Sequence, residues 1–376
     1  MNILINCSNL KKGGGVQVAS SVCCGLNMFP QHHYTVILPD VLQGIQDIVS
    51  QYRNVTVMNY NSMNNLYVML TGRDRFLDQV IEDNNIDGVI SIFGPISWSP
   101  KKPHLCGFAR SHLVLENSPF FMRMSFRVRM FSYFKNRILK YFFIRGVNAF
   151  YTENKFISER WAKLSEGRPV YTITNYYNQI YDTPSLWQEL KLPNFEGVTI
   201  LCISAYYAHK NLEIAIDIAK ELRRKHPNFS FRFVFSINKE QYPVLPQELE
   251  PHFLFLGRVD LNQCPALYEQ ADIMFQPSLL ECFSANYPEA MRMNVPIVSS
   301  NLEFARGLCG NAAIYYDALD ASDAANKIYE VGTNKSLRLD LINEGTQELS
   351  KFNDYKERIQ MLINCMEELL NNKLYN

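Results

Sequence analysis

Apolar residues along this chain come in short unbroken runs, separated by longer stretches in which they recur every three or four positions. In the first half the runs are NILINC (2–7), YTVILP (34–39), VTVMNY (55–60), GVISIF (88–93), HLCGFA (104–109), NAFYTE (148–153) and VYTIT (170–174). In the second half they are VTILCIS (198–204), FRFVFSI (231–237), HFLFLG (252–257), ADIMFQ (271–276), VPIVSS (295–300) and AAIYYD (312–317). Strands buried on both faces read as continuous apolar runs. Helix-length segments such as 16–29 and 75–85 stand between several of them, so the pattern predicts parallel sheets covered by helices on both sides. Thirteen strands are too many for one sheet. The expectation is therefore α/β with two doubly wound Rossmann-like domains facing across a cleft, 1–178 and 179–354, divided within the proline-bearing segment near 178–196. A last helix over 355–371 carries apolar Ile359, Leu362, Ile363, Met366, Leu369 and Leu370 at helical spacing and is expected to pack back on the first domain.

Composition narrows the classes. Of 376 residues, 47% are hydrophobic and 20% charged, enough to bury large cores and too apolar for disorder. Lys+Arg and Asp+Glu both number 37, so bulk charge gives no reason to expect nucleic acid. The nine cysteines are odd in number, scattered and without a CxxC spacing, which reads as reduced thiols with neither a disulfide framework nor a zinc site. MNILINC lacks a basic n-region and a long apolar h-region, and no stretch approaches the ~18 apolar residues of a membrane span. A soluble, cytoplasmic protein is expected. The balance of charge breaks sharply in one place: residues 119–145 hold seven Lys/Arg, no acidic residue, seven Phe and two Tyr. Such a stretch suits peripheral contact with an anionic membrane surface; an ordinary helix with a basic solvent face is the plainer reading.

Three segments carry candidate chemistry. NLKKGGGVQVASS (9–21) puts three glycines after the first strand, at the opening of a helix, where backbone N–H groups can face an oxygen-rich ligand. Gly13 and Gly15 fit a dinucleotide fingerprint, but Val18 takes its third position and no acid ends strand 2, which argues against a dehydrogenase. In CISAYYAHKNLEIAIDIAKEL, Lys210 lies just beyond a strand and at the expected start of a helix, a place where a lysine can neutralise phosphate or simply be solvated. PSLLECFSANYPEAM (277–291) sets Glu281 in a loop and Glu289 in the first turn of a helix, eight positions on and just after Pro288. Read alone, that pair is a surface Glu and a Glu placed favourably near a helix start.

In combination these segments resemble the retaining glycosyltransferases of family 4, which have the GT-B fold of two Rossmann-like domains. The resemblance spans most of the chain and is most specific over 198–317, where Lys210-Asn211, FLGRV, the Glu-x7-Glu motif, VPIVSS and GNAAIYYD come in the family's order. It implies an acceptor-side first domain and a second domain that binds a nucleotide-diphospho-sugar, with UDP or GDP as the nucleotide. It implies that Glu289 holds the ribose hydroxyls and that Glu281 stands beside the donor sugar. The amides of Phe283, Ser284 and Ala285 would face the sugar and diphosphate, and Lys210 would offset charge on the leaving diphosphate. Gly257, Arg258 and Val259 would lie against the base, and Gly14 and Gly15 would close over the diphosphate and acceptor. His112 falls where the family often has a donor-facing histidine; a structural role is the other reading, and Arg110 is a weaker candidate. The chain departs from the family at Ala205, where an arginine is usual and for which Arg258 or His209 could substitute. It departs again at Cys282, where glycine is common, and at Tyr176, in place of the glycine of an Asn-Gly.

The expected reaction is retaining hexosyl transfer to a glycan acceptor, lipid-linked as in bacterial surface-polysaccharide assembly. A glycosyl transition state with oxocarbenium character needs charge stabilisation and excluded water more than a strong nucleophile. The sequence has no Asp-x-Asp diphosphate clamp and no His/Cys cluster at ligand spacing, so neither a metal nor a cofactor is expected. A catalytically silent nucleotide-sugar scaffold or sensor stays open, as does a sugar-nucleotide epimerase.

Overall fold

The structure is a computed structural model that describes residues 1–62 and 66–372. Among these residues the thirteen expected strands are all present, most trimmed by a residue or two, HFLFLG by three, and YTVILP shifted one residue towards the N-terminus. The first seven are β1 (Asn2–Asn6), β2 (His33–Leu38), β3 (Val55–Asn59), β4 (Gly88–Ser91), β5 (His104–Gly107), β6 (Ala149–Thr152) and β7 (Val170–Thr172). They form one parallel sheet in the order β3-β2-β1-β4-β5-β6-β7. The next six are β8 (Val198–Cys202), β9 (Phe231–Phe235), β10 (Phe253–Phe255), β11 (Ile273–Gln276), β12 (Ile297–Ser300) and β13 (Ala313–Tyr316), in the order β10-β9-β8-β11-β12-β13. Every pairing is parallel, which is why the strands are apolar throughout: β4, β5, β6, β8, β9, β11 and β12 are buried along their whole length.

The chain divides into two compact units. The first takes Met1–Val114, Ser125–Asn175 and the residues from Asn353 on; the second takes Leu115–Met124 and Tyr176–Phe352. This differs from the expected division into 1–178 and 179–354 in one respect of consequence: ten residues, Leu115–Met124, belong with the second unit. The basic, aromatic stretch read as one piece over 119–145 is accordingly two helices, Pro119–Met122 and Phe126–Ile144, one in each unit.

The core of the first unit is completed by the last helix, Tyr355–Asn371. Its Ile359, Leu362, Ile363, Met366 and Leu369 are buried in one cluster with Ile3, Ile5, Val36 and Ile90 of the sheet. Two glycines allow that approach: a Cβ on Gly25 would collide with Ile359, and one on Gly88 with the Met366 sulfur. Gly25 also ends the first helix, Gly14–Cys24, short of the expected 29. A capping box starts the last helix, with Glu357 N donating to Asp354 Oδ1 at 2.7 Å and Asp354 N donating to Glu357 Oε2 at 3.1 Å. At its first turn Arg358 is buried against Glu153 at 3.0 Å and also donates to Asn175. Just before it, Asn353 and Thr174 exchange hydrogen bonds, Thr174 N to Asn353 Oδ1 at 3.0 Å and Asn353 N to Thr174 Oγ1 at 2.6 Å. Two of the four points where the chain passes between units, after Asn175 and before Asn353, are thereby tied side by side within the first unit.

Each sheet reverses its winding direction once, between β1 and β4 and between β8 and β11. Crevices for ligands open beyond the carboxyl ends of the strands at such reversals. The glycine loop follows β1, the Lys210 segment follows β8, and the Glu281 loop follows β11.

Candidate active site

The second unit's site is built from the loops after β8 and β11, which leave neighbouring strands at the reversal. After β8, a short 3₁₀ turn Ala208–Lys210 ends at Asn211, whose φ of 53° is left-handed, and the following helix begins only at Ile214. Lys210 is therefore not at a helix start, as expected, but in a separate turn. Asn211 tolerates the left-handed conformation that breaks the helix there. After β11, the backbone of Leu279 is held from two sides: its N–H donates to the His209 carbonyl at 2.8 Å and its carbonyl accepts from Ser118 Oγ at 2.5 Å. The buried Gln276 side chain donates to Ser278 Oγ and Ser284 Oγ and accepts from Asn286 Nδ2 at 3.0 Å, and Ser300 Oγ donates to the Ser278 carbonyl at 2.6 Å.

These constraints bring Lys210 Nζ and Glu281 Oε1 into a direct ion pair, with both side chains largely shielded. Beside it His209 is held below its ordinary pKa by burial, with Glu281 opposing and Lys210 adding to the drop. Phe283, Ser284 and Ala285 lead into the helix Asn286–Arg292, in which Tyr287 N donates to the Ser284 carbonyl at 3.3 Å and Glu289 N to the Ala285 carbonyl at 3.0 Å. Cys282 is buried here, so its bulk is absorbed by the interior.

Glu289 sits in that helix, 6% exposed, and accepts a hydrogen bond from the Tyr268 phenol at 3.2 Å. Burial pushes its carboxyl up to about 7, with the neighbouring Tyr181 and Tyr268 phenols pulling it back only in part. The Tyr181 hydroxyl is itself buried without a well-formed hydrogen bond. A carboxyl kept dry and ringed by phenols is poised to accept from hydroxyl donors that arrive with a ligand. Neither tyrosine carried any signal in the sequence, since each is far from Glu289 along the chain. Gly257, Arg258 and Val259 leave β10 at the sheet edge and lead to the short helix Cys264–Tyr268 that carries Tyr268. Gly257 has a φ of 75° and an added Cβ would meet Asn238 Oδ1 at 2.8 Å, so glycine is required there.

The detour Leu115–Met124 was also invisible as a site element. Besides the Ser118 bond to Leu279, it sets the Phe120 ring edge-on to His209 at 6.2 Å and sends the Arg123 guanidinium to the Asn211 side chain and to Glu213, at 3.4 Å from the latter. Thus Arg123 stands one residue from Lys210, in a chain that has Ala205 exposed where the resemblance leads one to expect an arginine.

Gly14, Gly15 and His112 belong to the first unit. Gly13, at φ 80°, caps the helix that Gly14 opens, so the left-handed position falls one residue before the two glycines singled out. Nothing lies within 4 Å of where a Gly14 Cβ would stand. His112 lies in the turn Ser111–Leu113 beyond β5, and its carbonyl accepts from Asn136 Nδ2 at 3.1 Å. Among the described residues no group of three or more His, Cys, Asp or Glu could hold a metal ion.

Two doubly wound parallel sheets in this order make the GT-B fold. The fold superposes on a glycosyltransferase from Rickettsia africae with a TM-score of 0.72 and 15% identity over 99% of both chains. It superposes on sucrose-phosphate synthase from Thermosynechococcus elongatus with a TM-score of 0.71 and 11% identity, again over 99% of both. Anabaena HepE, solved with UDP and glucose, matches at a TM-score of 0.64 and 12% identity over 97% of this chain and 99% of that one. Residues 189–348, within the second unit, match the family Glycosyl transferases group 1. In sequence the chain is 24% identical over 164 residues to the O-antigen chain mannosyltransferase RfbU of Salmonella typhimurium, a match that spans 42% of each protein.

Proposed function

We propose that this protein is a retaining glycosyltransferase that moves a hexose from a UDP- or GDP-sugar to a lipid-linked glycan acceptor in bacterial surface-polysaccharide biosynthesis. The observation that carries the reading is the shielded Lys210–Glu281 ion pair on the two switch-point loops, with the buried Glu289 eight residues further on. The group 1 domain and the O-antigen relative support it independently.

In this reading the ribose hydroxyls donate to Glu289, which ionises as they do so. The ammonium of Lys210, aimed by Glu281, stabilises the diphosphate as negative charge develops on it. The Phe283, Ser284 and Ala285 amides add dipoles aligned with the short helix they precede. Glu281 lies beside the donor sugar and stabilises its oxocarbenium character. Retention follows from the resemblance, and the diphosphate charge is met by these side chains and dipoles rather than by a metal ion. His112 is assigned a donor-facing role and Gly14 and Gly15 the loop that closes over the diphosphate and acceptor, and the cytoplasmic face of the membrane is where a lipid-linked acceptor would be met.

The test is a thermal-shift panel of UDP, GDP, ADP, CMP, dTDP and NAD on the wild-type and Glu289→Ala proteins, followed by donor turnover. A diphosphate at a hundred times its Kd stabilises the fold by about 2.7 kcal/mol. One responding nucleotide, with the response lost in Glu289→Ala and with sugar transferred in turnover, supports the proposal. Binding without turnover, unaffected by Glu281→Ala, makes the protein a silent scaffold. No response from any nucleotide removes the donor assignment.

A further inference from the structure

The helix Phe126–Ile144 is turned inside out. A surface helix normally rests an apolar stripe on the body and shows a polar one to water. Here the row at helical spacing that rests on the body is Ser132, Asn136, Leu139 and Phe143, the first three only half-buried and two of them polar. At about 100° per residue the opposite stripe is Met130, Phe134, Ile138 and Tyr141, with Phe131 beside it, and all five are exposed. Phe131 is 70% exposed and Phe126, at the helix start, 77%. Five cations, Arg127, Arg129, Lys135, Arg137 and Lys140, share the helix with no acidic residue.

The helix is nonetheless firmly seated at its far end. Phe143 and Ile144 are buried, with Phe143 packed against Phe108 and Trp161. Next to them Arg145 donates to the carbonyls of Met69 and Ser97, both at 2.7 Å, and of Val68 at 3.2 Å. That clamp places the helix Leu66–Thr71 beside it, with Leu66, Tyr67 and Leu70 exposed as well. Contiguous exposed apolar surface of this kind marks an interaction site.

We propose that this helix is an interfacial membrane anchor that lies flat on an anionic lipid surface. Its aromatic stripe sinks to the headgroup boundary, and its lysines and arginines reach lipid phosphates on either side. At 19 residues it lies along roughly 28 Å of surface. No helix among the described residues is long and apolar enough to cross a bilayer, so the contact is peripheral. A second copy of the chain could also cover an apolar stripe. In a two-fold pairing, however, five cations would face five cations, whereas anionic lipid neutralises them. The proposal gives the lipid-linked acceptor of the proposed function a docking surface, but the contact itself needs neither donor nor transfer.

Flotation of the full chain with vesicles tests it. Phosphatidylcholine vesicles containing phosphatidylglycerol should carry the protein upward, and pure phosphatidylcholine vesicles should not. Reversing Arg127, Arg129 and Lys135 to Glu should lower partitioning by roughly a hundredfold. Replacing Phe131, Phe134 and Ile138 by Ser should abolish it while leaving the far-UV circular dichroism and the cooperative melt unchanged, which shows that the variant is folded. Failure to float with either vesicle overturns the proposal, as does equal flotation of the variants. So does a concentration-dependent dimer that the Ser variant dissolves, because the stripe then belongs to a second copy. None of these outcomes depends on whether sugar is transferred.

Discussion

Lys210 and Glu281, seventy-one positions apart, form an ion pair between the loops that follow two adjacent strands of the second sheet. The pair is shielded enough that either charge left alone is costly, and it is tied to backbone fixed by His209 and Ser118. Lys210→Ala should lower kcat by about a hundred- to a thousandfold, the range for loss of one preorganised charge-stabilising donor. Because each single change strands the other charge, Lys210→Ala with Glu281→Ala should destabilise the fold by less than the sum of the single changes. Denaturant titration of the four proteins gives that coupling; strict additivity would show that the contact is not made in solution.

Glu289 sets a pH dependence. Burial holds its carboxyl near 7, above the ~4.3 of an unfolded chain, so the folded protein binds this proton more tightly. Its contribution to stability is therefore full below about pH 4 and is lost as pH rises to about 7. The loss totals roughly 4 kcal/mol, with little further change above that. Glu289→Gln should flatten the curve, and the difference between the two proteins isolates this group.

Nucleotide affinity should move the other way. If ribose hydroxyls donate to the ionised carboxylate, binding expels the proton, and affinity should rise about tenfold between pH 6 and pH 8. Calorimetry in buffers of different ionisation enthalpy would detect the released proton. A flat profile would place the ribose elsewhere.

The Leu115–Met124 detour should matter to catalysis although it carries no motif. Ser118→Ala removes the bond to Leu279 and should cost about 1 kcal/mol of transition-state stabilisation, roughly fivefold in kcat/KM. Arg123→Ala should cost more, and Arg123→Lys should not restore it, since one guanidinium reaches both Asn211 and Glu213. Unchanged kinetics in both variants would reduce the detour to packing.

Arg358 and Glu153 form a buried pair in the first unit. Burial raises the Glu153 carboxyl and Arg358 only partly offsets it. Arg358→Ala would leave that carboxylate alone in the interior and should destabilise the first unit by about 3–5 kcal/mol. Adding Glu153→Gln to that variant should recover part of the loss, measurable as a rise in Tm.

The strands were legible because parallel strands buried on both faces must be continuous apolar runs, as ILI in β1 and FVF in β9 are. The last helix was legible for the related reason that one stripe, Ile359 to Leu369, is buried in a core. At the site, the Glu281–Glu289 spacing and Lys210 stood out as local patterns. What could not be read was whatever depends on folding distant segments together. The Tyr268 and Tyr181 phenols around Glu289, the Lys210–Glu281 contact and the Ser118 tether are examples. The helix start near Lys210 was misplaced because a left-handed Asn211 interrupts a sequence whose apolar period continues through it. The inverted stripe on Phe126–Ile144 needed the structure too, since periodicity shows that a helix has an apolar face but not which way the face points.

The clasp of Thr174 with Asn353, and the helix that follows it, have a consequence for how the chain is made. Synthesis delivers the seven strands of the first sheet early, but the helix that seals their core arrives last. At ~5–20 residues per second, roughly ten to thirty-five seconds separate the end of β7 from the start of that helix. For that interval the nascent first unit has an open apolar face over Ile3, Ile5 and Ile90, while the second unit is itself being made and is complete only at Phe352. The amino-terminal half of this protein is thus the later of the two to mature, and a ribosome that stops before codon 355 releases a chain that a chaperone should recognise by that face.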